Sequence, residues 1–231
     1  TVTRSPTTAL PYVSPYLQGS GSTVSKSSPV QIATYQGAGL GPLINSWNMI
    51  TAGTVNTMGI KSDSTLWTWG LNNIGQLGLN DTINRSIPTQ VGYFTSISSW
   101  AMVSSNISSA IAIRSDGTLW SWGYNIGGKL GDLSVISRSS PVQVSGGGSW
   151  SVVACSESGT SAIAYDGSMY GWGYSQNGEI GNPNIDATNY RSSPVQVGYV
   201  AYTTSPTQIG ASSWIAVSAG LSHVVAIRSD D

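Results

Sequence analysis

Few residues in this chain could do chemistry, and their placement decides what that chemistry could be. The single histidine, His223, stands beside Ser222 in "AGLSHVVAIRSD", and the single cysteine, Cys155, stands apart. A serine–histidine hydrolase needs the imidazole to take the serine proton and a third group to orient the ring. Adjacent residues do not share that bond in the usual way, and no acid partner is evident. Paired carboxylates are the next chemistry to consider. Four of the ten acidic residues, Asp63, Asp116, Asp166 and Asp230, recur at one place in a repeated pattern, where Asp acts as a turn residue. Glu179 has Gln76 and Lys129 as its counterparts, so no shared chemistry uses it. One Cys and one His do not make a zinc site, and calcium loops of alternating Asp and Asn are absent. The expectation is a protein that is not an enzyme, with no catalytic residue, cofactor or metal.

What the chain has in quantity is aromatic side chains at regular positions. "LWTWG" at 66–70, "LWSWG" at 119–123 and "MYGWG" at 169–173 repeat an aromatic pair followed by glycine. A single active site needs its constellation once. Three copies point to a repeated structural unit, with Trp67, Trp69, Trp120, Trp122, Tyr170 and Trp172 expected to lie buried between neighbouring units.

Composition narrows the partners. Of 231 residues, 39% are hydrophobic, enough for a substantial core. Only 8% are charged, against about 25% in an average protein, so Ser, Thr, Asn, Gln and Gly must carry solubility. With a net charge of −1 and no run of like charges, attraction to nucleic acid or to an anionic membrane is not expected. No apolar stretch reaches the roughly 18 residues that a spanning helix needs. "TVTRSPTTAL" carries neither an initiator Met nor an apolar signal core, which reads as the start of a fragment or of a processed chain.

The elements that position these residues follow from the repeat. Segments led by Trp47, Trp100, Trp150 and Trp214 can be laid over one another, and the first three end in "IPTQV" or "SPVQV". Each reads as four short strands: one after the leading Trp, a second such as "AIAIRSD", the aromatic strand, and "PVQV" with Pro at its first position. An Asp-Gly pair between the second and third strands predicts a two-residue hairpin. A bulky face on one sheet is expected to pack against the small face of the next. Four-stranded units of about 40–50 residues are the pattern of β-propeller blades. The predicted fold is all-β, with three complete blades (about 46–92, 97–144 and 149–210), a partial blade at 211–231 and another at the N-terminal side. Residues 1–21 read as an extension or a degenerate strand.

"AGLSHVVAIRSD", "WSWGYNIGGKLG" and "WGLNNIGQLG" together resemble the regulator of chromosome condensation repeat family over about residues 22–231. The family's histidine position holds His223 in one copy but Asn56, Ser109 and Gly159 in the others, and Asp63-Ser64 replaces Asp-Gly. Because the family usually closes with seven blades, the resemblance implies an open arc cut from a larger ring, in preference to a four-bladed ring closed by residues 26–32. The family includes a nucleotide-exchange factor, ubiquitin-ligase modules, a plant ultraviolet sensor and bacterial and phage surface proteins, so fold does not choose the function. The sensor's Gly-Trp-Arg-His-Thr signature is missing, and nine Lys and Arg are few for an exchange factor's charged contact face.

The copies differ most in their connections. Residues 33–45, 182–193 and 198–210 place Tyr35, Tyr190, Tyr199 and Tyr202 among Ser, Asn, Gly and Thr, a composition suited to adaptable binding. They are the candidate binding loops. The charge-poor composition suggests a binding module displayed outside a cytoplasm, on a bacterial surface or a virion. Its partners would be a protein, a surface glycan or other chains of an assembly. The alternative is an intracellular regulatory module of exchange-factor or ligase-adaptor type.

Overall fold

The structure, a computed structural model, describes Ser28 and residues 46–92, 99–175, 178–182, 190–197 and 213–229. Tyr35, Tyr199, Tyr202, Asp230, the segments 33–45 and 198–210 and nearly all of 26–32 lie outside the described residues, as does the closing contact that would separate arc from ring. The strands β1 (Trp47–Ala52), β2 (Asn56–Lys61), β3 (Leu66–Gly70) and β4 (Arg85–Gln90) form one antiparallel sheet in chain order. The next sheet holds β5 (Trp100–Ser105), β6 (Ser109–Arg114), β7 (Leu119–Gly123) and β8 (Arg138–Gln143). The third holds β9 (Trp150–Cys155), β10 (Gly159–Ala164), β11 (Met169–Tyr174) and β12 (Tyr190–Gln196). A last pair is β13 (Trp214–Ala219) with β14 (Val224–Arg228). Successive first strands β1, β5, β9 and β13 are neighbours, so they form the inner row and the fourth strands the outer edge. This is a β-propeller built of four-stranded blades.

The core lies between blades, and residue size explains its arrangement. Residues paired across a strand share a face, so each aromatic of the third strand sits beside its register partner in the second. Those partners are Gly59 for Trp67, Ala112 for Trp120 and Ala162 for Tyr170. The small residues therefore make room for rings on the same face; they do not form the opposing surface that the sequence suggests. What the rings meet is larger. Met58, Ile60 and Leu66 of the first blade pack with Trp100, Val103 and Trp122 of the second. Ile111, Ile113 and Leu119 of the second pack with Trp150, Val153 and Trp172 of the third.

The two aromatics of each pair have different fates. Trp69, Trp122 and Trp172 are fully buried, and the leading tryptophans lie against them at ring separations of 5.8, 6.1 and 6.2 Å. Trp67, Trp120 and Tyr170 are only half-buried, which corrects the expectation that all six are enclosed. They sit at the hairpin end of the blade, where the sheet meets solvent. Trp67 and Trp120 donate their indole N–H groups to Thr65 and Thr118 Oγ1, at 2.7 and 2.9 Å. Each threonine in turn donates to the Asp two residues before it, Asp63 or Asp116, at 2.6 Å.

Two local expectations change. The hairpin after β6 is a three-residue turn: Gly117 N–H donates to the Arg114 carbonyl and Arg114 N–H to that of Thr118. Only Gly117 enters the left-handed region, at φ 80°, whereas a two-residue type I′ turn would need positive φ at both central residues. Ser64 takes the same role in the first blade at φ 65°. The fourth strand also starts earlier than "PVQV", at Arg85 and Arg138, with Pro88 and Pro141 inside it. The register with the third strand shifts just before each proline, and the proline sits in an outer strand where the missing N–H breaks no ladder.

Candidate interaction faces

Antiparallel order sends the connections to two ends of the blades. One end carries the turns between first and second strands and the connections from third to fourth. The other carries the second-to-third hairpins and the approaches to each leading tryptophan.

At the first end, side chains tie each blade to the next. Asn56 Nδ2 donates to the Asn106 carbonyl at 3.1 Å, and Asn106 Nδ2 donates to that of Ser156. Asn106 Oδ1 meanwhile accepts the Ser108 and Ser109 amides at 2.8 Å each, so the buried amide is well satisfied. Asn106 and Ser156, with Gly53, Thr54, Glu157 and Leu221, line an opening of about 340 Å³ where the inner strands converge. Lys129, buried at 4% exposure, donates Nζ to the Glu157 carbonyl at 2.9 Å and to Ser108 Oγ at 3.4 Å. Burial pushes its ammonium below the ordinary lysine range, with Cys155 and Glu157 opposing. Burial also pushes the Cys155 thiol up, which leaves a protonated and weakly nucleophilic sulfur.

In the first two blades the long connection after the third strand is organised by one asparagine, whose place in the third blade is taken by Ser175. Asn125, wholly buried, accepts the Leu130 amide at 2.9 Å and donates to Asp132 Oδ1, Ser134 O and Ile136 O between 3.0 and 3.1 Å. Asn72 does the same with Leu77, Asp81 and Ile83. The arginines at the start of the fourth strand complete the unit, as Arg138 Nε donates to Asp132 Oδ2 at 2.9 Å and Arg85 pairs with Asp81 at 2.6 Å. These are positioning roles that the sequence reading did not assign. Burial pushes the Asp132 carboxyl up, but hydrogen bonds from Ser134, Arg138 and Asn125 outweigh it and hold it below the usual carboxylate range. A depressed folded value means stability that is present above the ordinary pKa of 3.8 and lost as pH falls through the folded value. Asp132→Asn is expected to flatten that part of the acid limb of a urea-unfolding series, whereas a limb unchanged in the variant would remove Asp132 from the account.

The residues singled out for chemistry are not assembled into a catalytic arrangement. His223 and Ser222 are both exposed, and the His223 ring lies over Gly220, where an added Cβ would come within 2.4 Å of Cε1. Asp63, Asp116 and Asp166 accept the backbone amides of Thr65, Thr118 and Ser168 at 2.9 to 3.0 Å, as turn residues do. No group of three or more His, Cys, Asp or Glu suited to a metal exists among the described residues. Tyr190 begins β12, half-buried and paired with Tyr174.

At the other end the hairpins dock onto the following blade. Trp100 N–H donates to the Ser64 carbonyl, Trp150 N–H to that of Gly117 and Trp214 N–H to that of Gly167, at 2.8 to 3.1 Å. The loop 145–148 lies at this end with Tyr165, the most exposed large hydrophobic side chain among those described at 71%.

This geometry has known counterparts. The pattern of the regulator of chromosome condensation (RCC1) repeat matches residues 63–110, 116–163 and 166–227, more than half of the chain. The ultraviolet-B receptor UVR8 of Arabidopsis thaliana is 31% identical over 97 residues, which is 42% of this chain and 22% of the receptor. The X-linked retinitis pigmentosa GTPase regulator of Canis lupus familiaris is 38% identical over 78 residues, 34% of this chain and 8% of the regulator. The human E3 ubiquitin-protein ligase HERC2 is 29% identical over 114 residues, 49% of this chain and 2% of the ligase. The chain thus spans a small part of these relatives' lengths. Among solved structures, human WBSCR16 superposes with a TM-score of 0.66 at 21% identity, covering 80% of this chain and 46% of that one. Prp20p of Saccharomyces cerevisiae gives 0.66 at 19%, covering 78% and 43%. Blade order, the tryptophan strands and the matched repeats agree, and the chain belongs to the regulator of chromosome condensation (RCC1) repeat family.

Proposed function

We propose that the chain is a regulatory protein-interaction module, and not one displayed on a cell surface or a virion. The observation behind this reading is the set of proteins that share its repeats: a receptor, a GTPase regulator and a ubiquitin-protein ligase by name. Surface display has only the charge-poor composition in its favour. The ligase is matched over 2% of its length, so its enzymatic activity is no part of the proposal. Prp20p has binding properties toward Gsp1p and histones, but at 19% identity that likeness supports the fold alone. Binding is assigned to the parts in which the copies differ, because the strands are occupied in packing blade on blade. Those parts are the connections 33–45 and 198–210 with Tyr35, Tyr199 and Tyr202, together with 182–189; the rest of 182–193, from Tyr190 on, belongs to strand β12 and leaves the candidate set.

The test is affinity capture on the immobilised chain, followed by expression of each captured protein and titration with the pure chain. Saturable binding by a purified protein, with Kd about micromolar or tighter, is the expected result. Shortening 198–210 to the length of 145–148 should leave the thermal transition in place and weaken that binding. Binding to surface glycans, with no purified protein rebinding, would return the reading to surface display.

A further inference from the structure

Each of the four blades among the described residues presents a comparable seat at the end of its second strand, and in three of them a cation of the chain itself fills it. Lys61 Nζ lies 3.9 Å from the Trp67 ring centre and 5.5 Å from that of Trp47. The Arg114 guanidinium lies 5.9 Å from Trp120, and that of Arg228 lies 5.8 Å from Trp214. A cation over an aromatic face is drawn by the ring quadrupole, most strongly where water is excluded. Arg114 also pairs with Asp116 of its own hairpin at 3.3 Å. Seat, ring and carboxylate therefore form one unit.

In the third blade the cation is replaced by Ala164 while the rest of the unit stays. Trp150 and Tyr170 meet edge to face at 5.2 Å, Asp166 keeps its place in the hairpin, and Tyr165 stands exposed beside it. Where the long side chain lies in the sister blades, a cavity of about 360 Å³ opens between Ala164, Trp150, Tyr170, Tyr165, Asp166 and the glycine loop 146–148. Among the described residues no cation approaches these rings and none pairs with Asp166. Trp150 and Tyr170 contribute aromatic wall to the cavity, and Asp166 contributes a carboxylate.

We propose that this vacant seat is a recognition pocket for one arginine or lysine side chain of a protein partner. The occupant follows from the sister seats, which hold Lys61, Arg114 and Arg228 against the same kind of ring, and from the unpaired Asp166 charge. Phenolic and indole walls with a carboxylate at the rim favour a cation over a neutral side chain of equal size. The proposal rests on the protein-interaction reading for its biological partner. The pocket itself can be tested without one.

The experiment is a titration of the full chain with Nα-acetyl-arginine amide, followed by NMR at the Trp150 indole N–H and the Tyr165 amide. Nα-acetyl-citrulline amide serves as the uncharged control. Saturable shifts with arginine, at least about tenfold weaker with citrulline, are expected. Ala164→Arg should abolish them by filling the seat from within, as Arg114 does. Asp166→Asn should weaken them several-fold, and it keeps the proposal open to refutation if Ala164→Arg does not fold. Equal shifts with citrulline, shifts that survive in either variant, or no shift at the solubility limit of arginine amide would overturn the pocket. Arginine binding here without any protein partner from the capture experiment would sink the interaction reading and leave the pocket standing.

Discussion

Trp122→Ala is expected to lower unfolding stability by about 3–5 kcal/mol, the range for removing a large buried aromatic side chain. Trp122 has no exposed surface, touches Trp100 on its own blade and packs into the Met58, Ile60 and Leu66 face of the preceding one. Its indole N–H also donates to the Gln76 carbonyl at 3.1 Å, 46 residues away in that preceding blade. The substitution therefore opens a cavity and leaves an interblade carbonyl without its donor. Trp172 repeats the arrangement with the Lys129 carbonyl at 3.0 Å. Trp120→Ala, at the half-buried position, should cost clearly less. Urea unfolding of the two variants side by side checks this, and equal losses would show that the distinction between the two aromatics is not real.

Gly123→Ala should cost about 3 kcal/mol or more without removing a single contact. Gly123 ends the aromatic strand at φ 101°, outside the regions open to a residue with a side chain. A conformation so sparsely populated costs of order 1–3 kcal/mol by itself. An added Cβ would also lie within 2.4 Å of the Ser108 carbonyl oxygen, which belongs to backbone and cannot swing away. Gly70 and Gly173 repeat both features at φ 118° and 106°, so the glycine after each aromatic pair answers a geometric demand made once per blade. A thermal melt of Gly123→Ala matching the parent would contradict this reading of the repeat.

Much of the fold was legible in the chain because one pattern is written several times. The spacing of the tryptophans, the alternation in "SAIAIR" and the Asp at each hairpin mark strands and turns by local chemistry, and repetition averages out the exceptions. The face that each side chain presents was legible too. What it would touch was not, because contact between blades joins residues about 50 apart. Asn106 reads as one more polar turn residue until its amide is seen crossing to Ser156. Lys129, the counterpart of Gln76 and Glu179, reads as surface charge, yet it is buried with its ammonium on the Glu157 carbonyl. Asn125 and Asp132 carry no signal of their own, because Asn125 donates to backbone carbonyls and Asp132 accepts from donors scattered along the connection, Asn125, Ser134 and Arg138, which no short motif displays. The seat in the third blade had a visible signal in Ala164, where Lys61, Arg114 and Arg228 stand in the other copies. Its meaning depended on knowing that those cations lie over rings.

The placement of function in what varies between blades, with the strands reserved for packing, is the central claim. Hydrogen exchange of the full chain, alone and saturated with a purified partner from the capture experiment, measures it directly. The account predicts added protection in the connections 33–45, 182–189 and 198–210 and around the loop 145–148 with the Tyr165 hairpin. The strand amides of β1 to β12 should exchange as before. Protection confined to the strands, or no change at saturation, would contradict it.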